Sequence, residues 1–517
     1  MQKSMRVLHN IFWGVVNRFC HMLCPFIIRT VILYMMGTLY VGLDGLFLSI
    51  LGLLSLAELG FGSALTYSMY RPLAEGDGQM VCALLRFYKK CYRIIGCVIL
   101  AIGLALLPFI KYLIRGEYPA DVNIYILYLA YLSNSAASYF LYAYKNSLLT
   151  AMQRYDIVNN INSIVYIIQS ALQIAILLAF RNYYGYVVLM PIFTAITNLA
   201  TERYSSKHYP QYQCRGILPA SVQQDIMTNV KGIIFQKIGG VVLTSVDSIV
   251  ISMFLGLNIL AIYNNYYYII LALFSVSGTL MQSMIPTVGN SCVVESKDKN
   301  FGDFKKFNFM YMYIAAWGSS FLLCLYQPFM KLWVGEELML TFPYVVMFTV
   351  YFFIYKWMDM LHVYTQATGI WWQTRYIPLI AAAVNLTFNI ILVKIIGLPG
   401  VIISTIISIL FIYNLGYLIA MLKLYFNKVN LLPRMILRQM YYLSVVVISS
   451  GLTYYIAALF GGEGVIGVIW RVVVCLTVPN IVMPLLFCRL AEFNAAKWFC
   501  AAVLKNFIGR KTNVTRS

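Results

Sequence analysis

The sequence predicts an all-α polytopic membrane protein of about fourteen transmembrane helices: two six-helix lobes in parallel pseudo-repeat, with a helix pair added at the C-terminal end. Composition is the first reason. The chain has 517 residues, 61% hydrophobic and 11% charged, whereas a soluble domain is about half apolar and a quarter charged. Span length is the second. About 20 apolar residues cross a bilayer as a helix, and such runs consume the chain, at about 11–36, 43–68, 91–114, 121–145, 157–180, 183–202, 231–255, 258–287, 308–332, 341–366, 374–396, 398–422, 439–460 and 465–488. The first run carries two arginines and lacks a small-residue cleavage site, which predicts a retained helix rather than a signal peptide.

Charge placement is the third reason. The net charge is +20. With the N-terminus in the cytoplasm, about 28 of the 38 Lys and Arg fall in cytoplasmic loops and the two ends, about six outside and about four within spans. This positive-inside pattern predicts both termini in the cytoplasm and a bilayer, not nucleic acid, as the partner. Lys89, Lys90, Lys305, Lys306, Arg510 and Lys511 are then charges near anionic headgroups of membrane lipids. The eleven cysteines are scattered. Cys20 and Cys24 flank His21, but without a second cluster they predict packing rather than a metal site. No cofactor is expected. Asn513-Val-Thr515 matches a glycosylation acceptor, but on a cytoplasmic tail it has no meaning.

The polar stretch with Arg203, Lys207, His208, Pro210, Arg215 and Pro219 divides the chain after six spans. The expected organisation is an N-lobe at 1–203, a cytoplasmic linker at 204–230, a C-lobe at 231–425, appended spans thirteen and fourteen at 426–490 and a basic cytoplasmic tail at 491–517. Val41-Gly42-Leu43-Asp44, expected to join spans one and two, is echoed by Leu255-Gly256-Leu257-Asn258 between spans seven and eight. An offset of six spans inserts both halves the same way up, a transporter plan with the site between the halves. Ile396-Gly397-Leu398-Pro399 is similar.

Four cations are read within spans: Arg18, Arg29, Lys237 and Lys356. A guanidinium stays charged under working conditions, and at mid-membrane it costs about 2.5–3.5 kcal/mol on insertion scales. Arg18 and Arg29 are eleven residues apart, so steps of about 100° bring them back to within about 20°. They share a face at roughly 16 Å separation along the helix, two stations for an anionic headgroup. Snorkelling to the interface is the plainer account of Arg18 and Lys237. The in-span acids are Glu58, Asp247 and Asp359, with Asp44 at the start of span two. Lys356, Asp359 and His362 follow at three-residue spacing on one helical face, as either an internal salt bridge or a titrating Asp-His coupling element. Span five carries Asn159, Asn162, Tyr166, Gln169 and Gln173 in register. Lipid-facing amides are costly, so this face turns inward and predicts a cavity wall suited to sugar hydroxyls. Tyr131, Asn134, Ser138, Tyr142 and Lys145 in span four, and Tyr351, Tyr355, Asp359, His362 and Gln366 in span ten, are similar stripes. There is no nucleotide-binding glycine loop and no paired-histidine metal motif.

The run from Gly42 through Asp44, Glu58, Gly60 and Gly62 to Leu65, continuing over Tyr70-Arg-Pro-Leu-Ala-Glu75, resembles the second span of the Wzx-type polysaccharide flippases. These export O-antigen and capsule repeat units and belong to the multidrug/oligosaccharidyl-lipid/polysaccharide exporter superfamily. Asp247 through Gly256-Leu257, then Ile262-Tyr-Asn264-Asn265-Tyr266, is similar as well. The resemblance implies alternating access by two lobes, an undecaprenyl-diphosphate-linked oligosaccharide as cargo, the bacterial inner membrane as location and a monomer as the working unit. Arg18 or Arg29 could match the first-helix arginines of related flippases; for such a cargo the in-span cations Arg18, Arg29, Lys237 and Lys356 are the expected diphosphate contacts, and the amides Asn159, Asn162, Gln169 and Gln173 the expected sugar contacts. Asp359 and His362, with Glu58 and Asp247, are then candidates for coupling to a proton or sodium ion, or for gating. The rivals are a multidrug or small-molecule antiporter, a lipid II flippase of the same fold, and a membrane glycan polymerase. The polymerase generally needs a large extramembrane loop, and no loop predicted here exceeds about thirty residues.

Overall fold

The structure is a computed structural model. It describes the backbone of residues 2–58, 61–142, 144–370, 372–459 and 464–514. Side chains are described within those stretches except at 2–12, 15, 57–58, 61, 63–65, 229, 231–233, 235–237, 243–244 and 503–514. The described chain is helical nearly throughout and divides into two compact units, Met1–Asn264 and Asn265–Ser517.

The first unit contains α1 (Gln2–Met36), α2 (Thr38–Leu54), α3 (Phe61–Glu75), α4 (Gly78–Leu106), α5 (Ile124–Phe140), α6 (Tyr144–Ala151), α7 (Tyr155–Phe180), α8 (Tyr183–His208), α9 (Ala220–Leu255) and the first turns of α10 (Leu257–Val294). The most extensive packing joins α1 to α7, with α7 and α5 against α8 and α2 against α9. Among the described residues twelve helices are long and apolar enough to cross a membrane. The expected second and fourth spans fall short for local reasons. α2 stops at Leu54, where a tight turn Ser55–Glu58 follows. There the Ser55 hydroxyl donates to the Gly52 carbonyl at 2.6 Å, the kind of local bond that competes with a continuing helix. α5 stops at Phe140, Tyr142 takes a left-handed φ of 60°, and α6 resumes two residues later.

The joint between the first two spans lies five residues earlier than the sequence suggested. Gly37, at φ 97° and ψ 179°, separates α1 from α2, and residues 41–44 are already helical. Its true counterpart is Gly256, at φ 90° and ψ 173°, between α9 and α10. The amide of Gly37 donates to the carbonyls of Ile32 and Leu33, and that of Gly256 to Ile251 and Ser252, the same spacing in both repeats. Only glycine adopts such a φ without strain. Gly42 is used differently, for close approach. A Cβ there would lie 2.2 Å from the Leu257 carbonyl oxygen, and one at Gly45 2.3 Å from Asn264 Nδ2. The two sequence stretches that carry the family resemblance therefore pack on one another. The linker is also shorter than expected: α8 runs through Arg203 and Lys207 to His208, and α9 begins at Ala220.

The second unit holds the rest of α10, then α11 (Lys297–Val334), α12 (Phe342–Thr368), α13 (Tyr376–Ile396), α14 (Leu398–Ile407), α15 (Leu415–Ala420), α16 (Leu432–Leu459), α17 (Gly464–Phe487) and α18 (Ala491–Val514). α14 and α15 belong to one continuous apolar span, Leu398–Phe426, whose wider π turns cover Ser408–Asn414 and Met421–Phe426. α11 is the hub. The appended pair, α16 and α17, docks on it through small residues that let backbones approach closely: Ser320 and Ser450 hydroxyls lie 2.9 Å apart, and the Cys475 thiol reaches the Ser320 carbonyl at 3.7 Å. The tail forms a helix, α18, tied to α16 by the Arg438–Glu492 ion pair and to α11 by Lys306 over the Phe499 ring.

Candidate functional site

On α1, Arg18 is exposed and Arg29 half-buried. Pro25 lies between them in the helix. A proline inside a helix removes one backbone bond and bends the axis, so equal facing cannot be read from eleven regular steps. Arg29 reaches across the unit: its guanidinium donates to the Ala261 carbonyl of α10 at 3.2 Å. His21 stacks on Tyr166 of α7, ring centroids 4.3 Å apart.

Facing Arg29 is an acidic centre that the sequence reading mentioned but assigned to no site. Asp44 accepts a hydrogen bond from the phenol of Tyr131, has the Tyr186 phenol near it and lies in the field of the Arg29 guanidinium. Tyr183 extends the network, its hydroxyl 3.0 Å from that of Tyr131. All three tyrosines are buried. The signal was present as Tyr131 in the stripe of span four, but α8 supplies the other two phenols, and pairing α5 with α8 requires the fold.

The α7 stripe turns inward as expected, toward α1 and α8. Asn159 and Gln173 are buried, while Asn162 and Gln169 are half-buried. Gln173 donates to the Tyr186 carbonyl at 3.0 Å and Gln169 to Gln173 at 3.5 Å. Asn17 of α1 donates to Ser163 at 3.3 Å. The Nδ2 of Asn159 is buried with no hydrogen-bond partner among the described residues, a polar group that costs about 1–3 kcal/mol unless something meets it. Asp247 is buried on α9, with the Tyr263 hydroxyl 3.5 Å from its carboxylate. The side chains of Lys237 and Glu58 lie outside the described residues.

In the second unit Lys356 and Asp359 form a buried ion pair at 2.7 Å. The ammonium also donates to the Ser277 hydroxyl at 2.7 Å and lies 4.6 Å from the centre of the Phe274 ring. His362 points elsewhere: its Nε2 meets the Gln366 amide at 2.6 Å, and its Nδ1 is buried without a partner among the described residues. The structure thus joins Asp359 to Lys356 and His362 to Gln366. Arg471 is a further cation inside a span. It lies within α17, half-buried, and donates to the Cys324 carbonyl of α11 at 3.4 Å.

No protein-family model and no curated protein matches the chain. Solved structures do. A lipid II flippase, MurJ, in an inward closed conformation superposes with TM-score 0.61 at 15% identity, over 93% of this chain and 99% of that one. An inward-facing multidrug resistance MATE family transporter of the MOP superfamily gives 0.58 at 16% identity, over 79% and 99%. A MOP superfamily transporter from Pyrococcus furiosus, described as having a binding pocket of reverse polarity, gives 0.53 at 14% identity, over 83% and 96%. At these identities the likeness is one of fold: the chain is a multi-pass helical membrane protein with the fold of MATE and MurJ transporters.

Proposed function

We propose that this chain is a flippase for lipid-linked oligosaccharide, moving undecaprenyl-diphosphate-linked repeat units from the cytoplasmic to the outer leaflet of a bacterial inner membrane for surface polysaccharide synthesis. Arg29 carries the reading. A guanidinium that cannot discharge is held half-buried in the first span, where charge is expensive and marks a pathway. A diphosphate suits it, because guanidinium binds phosphate oxygens in paired, charge-assisted bonds. Arg18 is the more exposed station on the same helix. The amides of Asn159, Asn162, Gln169 and Gln173 lie on the helix packed against α1 and supply donors and acceptors for sugar hydroxyls. Lys356 meets the headgroup when its pair with Asp359 opens, and Lys237 adds a further cation. Asp359, His362, Glu58 and Asp247 are coupling or gating groups for a proton or sodium ion.

The in-span cations favour a flippase over a drug exporter, because they suit an anionic cargo better than a cationic drug. One observation supports the antiporter reading: Asp44 under three tyrosines is a pairing of carboxylate and rings that favours organic cations.

The test is complementation in a strain lacking this gene, with surface glycan as the readout. Arg29→Gln combined with Lys356→Gln, at normal protein level, is expected to abolish display. Intact display would remove both residues from the headgroup path.

A further inference from the structure

Outside that site, a cavity opens beside α4 in the first unit. It holds about 480 Å³ and is lined by Arg86, Phe87, Lys90, Ile94 and Ile95 of α4 and by Ile217, among others, of the segment before α9. That volume is in the range of small-ligand sites. The segment is fastened to α4. The Arg86 guanidinium donates to the Gly216 carbonyl at 3.1 Å, and Cys82 exchanges bonds with the backbone of Gln211 and Gln213 at 3.4 and 3.3 Å.

Three lining residues, Arg86, Lys90 and Ile94, begin a row on α4 that continues beyond the cavity through Val98 and Ile102. Arg86, Lys90, Ile94, Val98 and Ile102 follow at four-residue steps, which places them along one row of the helix. All five are exposed. The row starts with two cations and continues for two further turns as branched aliphatics, while Ile217, 86% exposed, overhangs the mouth. Among the described residues no carboxylate lines the cavity. The bond to Gly216 uses one of five guanidinium donors. Two cations over an apolar track match the two parts of an anionic lipid in order: phosphate first, acyl chain along the helix. The cations also stand on the membrane face to which the positive-inside count assigns most of the basic residues.

We propose that this groove is a resident site for an anionic glycerophospholipid, with its phosphate at Arg86 and Lys90 and one acyl chain along Ile94, Val98 and Ile102. The lipid ties α4 to the segment that leads into α9. The proposal stands apart from the cargo assignment, since none of these residues belongs to the proposed cargo path.

The test uses full-length protein in neutral detergent, with native mass spectrometry and thermal unfolding as readouts and dioleoyl-phosphatidylglycerol as the probe. Wild type is expected to retain one copy saturably and to unfold at a higher temperature with it. Arg86→Gln/Lys90→Gln is expected to bind at least tenfold more weakly, while Arg434→Gln/Lys497→Gln, which removes two exposed charges elsewhere, binds like wild type. Dioleoyl-phosphatidylcholine and glycerol phosphate are expected to compete poorly. Equal weakening in both double variants would reduce the effect to general surface charge and overturn the proposal. Glycerol phosphate competing as well as the lipid would make this a free-phosphate site, and displacement by undecaprenyl diphosphate at far lower concentration would make it a cargo entrance. Either result also overturns it.

Discussion

The phenol of Tyr131 donates to the carboxylate of Asp44, and through that bond α5 holds the charge that faces Arg29. Removing the hydroxyl strips one donor from a carboxylate inside the helical bundle. A hydrogen bond to a charged group contributes about 1.5–3 kcal/mol. Tyr131→Phe is expected to lower the unfolding midpoint of the purified protein, and Tyr131→Phe with Asp44→Asn to recover part of the loss. Additive losses in the two variants would mean that the pair is not coupled.

Gly42 tests the close crossing of α2 with the start of α10. A methyl group there has nowhere to go, since the Leu257 carbonyl oxygen stands 2.2 Å from its position. Overpacking of this kind costs about 1–3 kcal/mol. Gly42→Ala is expected to reduce folded yield and thermal stability measurably. Gly451→Ala, where nothing lies within 4 Å, is the matched control on α16 and is expected to unfold like wild type.

How far the sequence went is visible at these glycines. Apolar runs predicted the helical class and twelve of the fourteen expected spans, because bilayer thickness fixes span length. The joint between spans one and two was misplaced. Gly37 and Gly42 are both glycines in apolar context, and only the left-handed backbone at Gly37 separates a turn from a packing contact. The inward face of α7 was legible from amide periodicity. The Asp44 cage was not, because Tyr183 and Tyr186 lie on α8 and reach Asp44 only through tertiary packing. Pro25 breaks the regular helix between Arg18 and Arg29, so their spacing in sequence does not fix a shared face.

Lys356 and Asp359 form a buried pair, and buried pairs behave asymmetrically. Losing one partner leaves an unpaired charge at a cost of about 3–5 kcal/mol, whereas replacing both by apolar groups is often neutral. Lys356→Met and Asp359→Leu are each expected to be strongly destabilised and the double variant to approach wild-type stability, read by thermal unfolding as a double-mutant cycle. The double variant separates stability from transport: if the pair takes part in moving cargo, it folds and does not restore glycan display. Full restoration of display would assign the pair to structure alone.

The central claim is that the arginines of α1 recognise a lipid-linked diphosphate. The most direct measurement is reconstitution of the full chain in liposomes with a labelled undecaprenyl-diphosphate-linked oligosaccharide, followed by its appearance in the opposite leaflet. Wild type is expected to flip this cargo and to move its monophosphate-linked analogue more slowly, while Arg29→Gln, folded to the same extent, flips the diphosphate cargo at least tenfold more slowly. Flipping by Arg29→Gln at the wild-type rate, or no flipping by wild type alongside uptake of a cationic dye, would contradict the account.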